Sequence, residues 1–372
     1  MSSSNNEEIP LFKKFPKLKA IPHVKLINFP TPVEKMIKSS EILGGMNIWV
    51  KRDDLTNLKY GGNKPRKYEF VIPYVKNKKK KRILTVGGLG TNHGLANAII
   101  ARDFGIETSL YLSDQPLTQH VRENLLCDYY FGANLIYTKD IKGTAYHLLK
   151  DLIFDWSSYY LTMGASNSVG TIGFVNAGLE LAEQIKNGDF PEPDKLFVAV
   201  GSMGMAIGLY IGFELARLKT KIIGVSVSDK MFNSPKKLHR LARKTLKRLR
   251  KFDQSIPDVS DQLFERFSIN REFYGGEYGR ITFEGLEAIE IVKKDGIDLD
   301  PVYTGKTFSA LVDYCRKNPN AKNETILYWH SKNSVDLSSI YKSVNYTDLP
   351  KKFHQFFDGT VEIDDKAVHC FK

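Results

Sequence analysis

From residue 82 onward, short apolar runs alternate with stretches whose apolar residues recur every three or four positions. Runs at 82–86 (RILTV), 108–112, 134–137 and 159–163 predict strands, and 93–104, 118–131 and 145–154 between them predict helices. After a turn, 170–187 reads as one helix, closed by Gly188 and the loop FPEPD. A second rhythm follows, with strands at 196–200 and 222–227 around a helix at 205–218. Helices at 236–251, 283–293 and 308–317 and a last strand at 325–329 complete it. This alternation predicts an α/β fold: two open, twisted parallel-sheet lobes with helices on both faces. Such sheets bind ligands beyond the carboxyl ends of their strands, so the cleft between the lobes is where chemistry is expected. The predicted division is 1–65 plus 175–372 for a larger lobe and 66–174 for a smaller one.

Charge changes this picture little. The formal net charge is +12, but Lys76–Arg82 (KNKKKKR) carries six positive charges and 236–251 carries nine. Without those two stretches the remainder is slightly acidic, so no basic face runs along the whole chain and nucleic acid is not an expected partner. The first stretch reads as a solvated helix end before a strand. The second puts Leu238, Leu241, Thr245, Leu249 and Phe252 on one face, which predicts an amphipathic helix with a basic exterior.

No apolar run approaches the roughly 20 residues of a membrane span. The first ten residues, MSSSNNEEIP, lack the features of a secretory signal and read as a short disordered lead-in. Cys127, Cys315 and Cys370 are far apart and show no metal-ligand spacing, so neither a disulfide framework nor a metal site is expected. A reducing compartment, the cytoplasm, fits this usage.

Three loops carry candidate chemistry. In KRDDLTNLKYGGNKPRK (51–67), two glycines before Lys64 allow a flat ligand to approach the backbone, and the lysine can form an imine. Taken alone, such a turn more commonly carries an exposed lysine. GGLGTNH (87–93) lies between a strand and a helix, where backbone N–H groups suit a carboxylate; the bland reading is a βα turn capped by Thr91 or Asn92. GSMGMAIG (201–208) follows LFVAV and opens a helix, a place for one phosphate. Its spacing matches neither the G-x-G-x-x-G dinucleotide fingerprint nor a P-loop.

In this order the three loops resemble the fold-type-II pyridoxal-phosphate enzymes comprising D-cysteine desulfhydrase and 1-aminocyclopropane-1-carboxylate deaminase. YLTMGASNSVGTIG (160–173), GGEYG (275–279) and DPVYTGK (300–306) extend the resemblance over about 22–329. It implies a tryptophan-synthase-beta-like fold with pyridoxal 5'-phosphate between the lobes, the larger lobe binding it, and a homodimer. Lys64 would hold the cofactor as a Schiff base, and Asn92 would contact its ring hydroxyl. Gly201, Ser202, Met203, Gly204 and Met205 would take the phosphate. Thr91, Asn92 and His93 would line the side of the substrate carboxylate, and Tyr278 and Tyr303 would face the substrate as catalytic groups beside Lys64 and Thr91. Thr304 and Ser331 would lie at the cofactor, Ser331 within reach of the pyridine nitrogen.

The family's deaminases carry glutamate after the tyrosine of VYxGK, and Thr304 stands there. The resemblance therefore leans toward a desulfhydrase-like elimination from a small β-substituted amino acid, with cyclopropane-ring deamination as the alternative and a binding protein of weak turnover as a third. Met205 replaces the usual hydroxyl at the end of the phosphate loop, His330-Ser331-Lys332-Asn333 replaces H-T-G-G, and Gly90 replaces a glutamine.

Overall fold

The computed structural model describes residues 8–358, 360 and 361. Most of the expected lead-in, residues 1–7, lies outside them, as does Cys370. In chain order the strands are β1 (Val33–Lys35), β2 (Asn47–Arg52), β3 (Arg82–Gly88), β4 (Glu107–Ser113), β5 (Asn134–Lys139), β6 (Ser158–Leu161), β7 (Lys195–Val200), β8 (Lys221–Ser226), β9 (Phe267–Asn270) and β10 (Thr325–His330). The longer helices are α1 (Lys64–Asn77), α2 (Asn92–Asp103), α3 (Gln119–Tyr130), α4 (Ile141–Phe154), α5 (Ile172–Asn187), α6 (Gly204–Ala216), α7 (Pro235–Arg250), α8 (Phe283–Lys293) and α9 (Thr304–Lys317).

Two sheets result, as the alternation predicts. One has the order β1-β2-β10-β7-β8-β9 and the other β5-β4-β3-β6. Every pairing is parallel except the edge pair β1–β2, which is antiparallel. The central strands β7 and β10 are buried on both faces, as their unbroken apolar runs require. One continuous core joins the lobes, from Phe70, Ile83 and Leu95 to Leu196, Val198 and Trp329. At its centre α5 crosses α6 so closely that a Cβ on Gly212 would stand 2.9 Å from the Gly178 Cα.

The expected basic helix forms as α7, burying Leu238, Leu241, Thr245 and Leu249, while Phe252 lies beyond its end and is exposed. Cys127 and Cys315 are free and buried. Among the described residues no helix is long and apolar enough to cross a membrane.

Candidate active site

Lys64 is the first residue of α1, with Pro65 in the helix's first turn, where a missing N–H costs nothing. The loop before it is pinned to the end of β10. The Gly61 N–H donates to Asn333 Oδ1 at 2.7 Å, the Gly62 N–H to Asp53 O at 2.9 Å and the Asn63 N–H to Ser331 O at 3.2 Å. Gly62 has φ +79, and a Cβ there would lie 2.6 Å from Ser331 O, so only glycine lets the two loops close. Behind Lys64, Arg66 is fully buried between Asp53 and Glu180, 2.7 Å from each. Lys51 reaches Glu180 at 2.7 Å, and Trp329 Nε1 donates to Asp53 at 2.8 Å. Burial opposes its charge, but Arg66 and Lys51 together hold Glu180 far below the usual carboxylate range. This network ties β2, α1, α5 and β10 together under the site.

Lys64 and Lys67 stand one turn apart on α1. Burial lowers the Lys64 amine to about 8 against the opposing pull of Asp300, and its Nζ donates to Asn63 Oδ1 at 2.7 Å. Lys67 is buried, and burial and the neighbouring Lys64 charge push it well down. Its Nζ reaches only the Gly164 carbonyl at 2.8 Å and Ser166 Oγ at 3.1 Å, with no carboxylate within 4 Å among the described residues. Ser166 Oγ also accepts the Gly204 N–H at 3.0 Å and meets Ser202 Oγ at 2.8 Å. Met203, the residue before α6, holds φ +72, a conformation side chains rarely adopt outside functional turns. A buried lysine without a carboxylate partner, a helix N-terminus and two serine hydroxyls form a cradle for a small anion such as a phosphate. Lys67 and Ser166 were not singled out from sequence. The signal was there, in a lysine one turn after Lys64 and a serine in GASNS.

Met205 is buried in the core, where its sulfur receives the Asn63 side-chain N–H at 3.7 Å. The residue that departs from the hydroxyl pattern thus packs beneath the lysine loop.

On the smaller lobe, Thr91 Oγ1 accepts the Gly94 N–H at 3.3 Å and caps α2, with its proton still to offer. Asn92 Oδ1 is held by His120 Nε2 at 2.9 Å and Asn124 Nδ2 at 3.2 Å, and Tyr60 OH donates to the Asn92 carbonyl at 2.8 Å. The Asn92 amide N–H2 makes no bond to a described residue and is free for a ligand. His93 corrects the expectation of a substrate contact. It is buried, with Nε2 at 2.9 Å from Thr85 Oγ1 and Nδ1 at 3.4 Å from Tyr68 OH. Thr85 donates to Leu161 O, so His93 Nε2 carries a proton. Burial and the Lys64 and Lys67 charges keep the ring neutral. It follows Asn92 by one helical position, which turns it to the interior.

Tyr278 and Tyr303 bond hydroxyl to hydroxyl, their ring centroids 6.1 Å apart at 73°. Burial raises both phenols, and either hydroxyl can be the donor of the bond between them. The Tyr303 ring lies against Gly201, where a Cβ would stand 3.7 Å from Cε1. Lys306, fully buried, donates to the Tyr274 carbonyl at 2.6 Å and so anchors the loop that carries Tyr278.

Thr304 is a second correction. Its hydroxyl lies 2.5 Å from Asp300 Oδ2 and accepts the Asp300 N–H at 2.7 Å, so it is spent on closing the start of α9. Asp300 also accepts the Val302 and Tyr303 N–H groups at 3.0 and 2.6 Å. Ser331 keeps a hydroxyl with no bond to a described residue, while Lys332 pairs outward with Asp298. The structure sets the Lys64 loop beside Ser331, Gly201 against Tyr303, Ser202 and Gly204 at Ser166, and Tyr278 on Tyr303, with Tyr60 bonded to Asn92. Among the described residues no cluster of His, Cys, Asp and Glu could hold a metal ion.

Residues 24–332 match the family described as pyridoxal-phosphate dependent enzyme. A putative 1-aminocyclopropane-1-carboxylate deaminase of Pyrococcus furiosus is 33% identical over 326 residues, 84% of this chain and 92% of that protein. D-cysteine desulfhydrase of Serratia proteamaculans is 28% identical over 342 residues, 88% and 98% of the two chains. The crystal structure of an ACC deaminase homologue superposes with a TM-score of 0.72 at 28% identity, over 92% of this chain and 99% of that one. Threonine deaminase isoform 2 of Solanum lycopersicum shares the fold, with a TM-score of 0.61 at 20% identity, covering 89% and 92%.

Proposed function

The chain belongs to the pyridoxal-phosphate dependent enzyme family, and we propose that within it the chain is a lyase that removes the β-substituent of a small amino acid. The favoured substrate is D-cysteine, converted with water to pyruvate, ammonia and sulfide. Lys64 would hold the cofactor covalently. Lys67, Ser202 and the Gly201–Met205 backbone would take its phosphate, Asn92 its ring oxygen and Ser331 its ring nitrogen. The buried Lys67 amine near the Gly204 N–H fits this assignment, because it has no carboxylate partner and a phosphate would supply one. Once bound, the cofactor supplies an electron sink that acidifies the Cα–H bond of an amino acid.

The protein's own groups then have separable tasks. The Lys64 amine, neutral in an appreciable fraction near its value of about 8, takes the Cα proton. The thiolate departs with the C–S electron pair and takes a proton from the tyrosine pair. The two phenols, bonded hydroxyl to hydroxyl, would share the supply of that proton. The carboxylate of the amino acid would meet the Thr91 hydroxyl proton and the α2 N-terminus. The tyrosine pair beside the phosphate cradle is the observation that carries this reading.

The names of the archaeal relatives support ring opening of 1-aminocyclopropane-1-carboxylate to 2-oxobutanoate and ammonia as a second reading. Thr304, with its hydroxyl committed to Asp300, favours elimination instead. Cofactor-loaded protein is expected to release sulfide and pyruvate from D-cysteine. Release of 2-oxobutanoate from the cyclopropane amino acid without pyruvate from D-cysteine would replace the first reading by the second.

A further inference from the structure

The two basic stretches stand far apart in the sequence, and the fold joins their ends. Lys78, just past the end of α1, and Arg248, in the last turn of α7, line one open groove of about 340 Å³. Both cations lie over the ring of Tyr74, 5.8 and 5.1 Å from its centroid. Arg248 is held at one end only. Its Nε donates to Ser168 Oγ at 3.0 Å, and its two Nη groups make no hydrogen bond to a described residue. Phe70, Tyr74, Ile172 and Phe252 give the groove apolar walls, and Phe252 is 39% exposed. No aspartate or glutamate lines it. From there the cations continue along α7. Lys237, Arg240, Lys244, Lys247 and Lys251 recur every three or four positions and are all exposed, a row about 21 Å long at 1.5 Å per residue. Lys244 and Lys251 stand one turn to either side of Arg248. Among the described residues only His239 and Arg250 of α7 have a carboxylate within 4 Å, those of Asp261 and Asp258.

We propose that this groove and the row of cations beside it bind a single-stranded nucleic acid, with phosphates along α7 and a base in the groove. A cationic track suits the phosphates of such a strand, and the π-face of any base stacks on an aromatic ring or an arginine plane. The Arg248 fork, fixed by Ser168 and Tyr74, presents its two Nη groups to a phosphate in the paired geometry that a lysine lacks. A lipid surface fits less well, because the apolar side chains here wall a groove instead of projecting from a ridge. The sequence shows two separate patches and gives no expectation of this partner. Their meeting at Tyr74 supplies the ground for it.

Fluorescence anisotropy of a labelled oligouridylate of about 12 nucleotides, titrated with the full chain, tests this. Micromolar affinity is expected at about 50 mM salt, falling roughly fiftyfold to a hundredfold by about 200 mM, as four or five neutralised phosphates require. Lys244→Glu/Lys247→Glu, which alters only exposed side chains, should bind more than about tenfold more weakly. Phe252→Ala should lose roughly fivefold or more with an unchanged salt slope, and should bind heparin, a polyanion without bases, as wild type does. No binding of the oligomer at about 50 mM salt, or an undiminished affinity in the charge-reversed variant, would overturn the proposal. So would a folded Phe252→Ala protein that binds the oligomer as wild type does. Should that variant not fold, the charge-reversed one decides alone. Phosphatidylserine vesicles that bind the protein more tightly than the oligomer does would also overturn it and give the face to lipid.

Discussion

Lys67 Nζ lies 3.1 Å from Ser166 Oγ, and that same oxygen receives the Gly204 N–H at 3.0 Å. A helix from the smaller lobe's edge and the first turn of α6 thus converge on one hydroxyl, which is left to donate toward Ser202. Without a counter-ion the arrangement disfavours the charged form of Lys67, and a bound anion would favour it. Lys67→Met should weaken cofactor binding by roughly tenfold to a hundredfold, the loss of one charge-assisted hydrogen bond. In the cofactor-free protein the same change should raise Tm, because it removes a buried amine that has no carboxylate partner. Fluorescence titration and thermal melts read the two effects, and equal affinity in variant and wild type would remove Lys67 from the cradle.

Lys64 should be the lysine of α1 that reacts with trinitrobenzenesulfonate in the cofactor-free protein as pH rises through about 8. Ordinary lysines follow near 10.5. The sign follows from linkage. Between about 8 and 10.5 the unfolded chain holds a proton at this position that the folded chain has lost, so Lys64 favours folding increasingly as pH rises through that window. Below it both states are protonated and the cost of burying the charge is complete. Peptide mapping of the labelled protein against pH checks the midpoint, and a midpoint near 10 would contradict it.

His120 Nε2 and Asn124 Nδ2 both donate to Asn92 Oδ1, which fixes the carboxamide with its N–H2 turned outward. His120→Ala should lower cofactor affinity by about threefold to tenfold, by loss of one orienting hydrogen bond. His120→Gln, which keeps a donor, should restore most of it. Identical affinities in both variants would mean that Asn124 alone sets the orientation.

Thr304 and Lys306 separate stability from turnover. Thr304→Val should cost about 1 kcal/mol of stability through the opened start of α9 and leave the cofactor absorbance unchanged. Lys306→Met should lower kcat by more than tenfold with little change in cofactor affinity, because it frees the loop that sets Tyr278 on Tyr303. Hydrogen exchange over 273–280 should rise in that variant alone. A spectral change in Thr304→Val would restore the residue to the cofactor.

Much of this molecule was legible in its sequence. The strands at 82–86, 108–112, 196–200 and 222–227 and the helices around them lie within a few residues of where the apolar rhythm puts them. β1, β2 and α1 were not read, for a physical reason. In and just after β2 and in α1, the charged residues Lys51, Asp53, Arg66 and Lys67 sit in the interior and satisfy one another or await a ligand, so a pattern of polar positions reads as loop. Loop order likewise pointed to Lys64, Ser202 and Tyr303 but could not orient single side chains. His93 turns inward by one helical position, and Thr304 is taken up by an aspartate of its own motif. The meeting of the two basic stretches at Tyr74 was invisible for a related reason, since periodicity gives a helix its stripe but not its neighbours.

The most direct test of the account concerns which of two neighbouring lysines holds the cofactor. Protein loaded with pyridoxal phosphate and reduced with borohydride should carry the pyridoxyl group on Lys64 and none on Lys67. Lys64→Ala protein should lose the reducible absorbance while still binding the cofactor through its cradle. A label on Lys67, or an undiminished reducible band in Lys64→Ala, would contradict it.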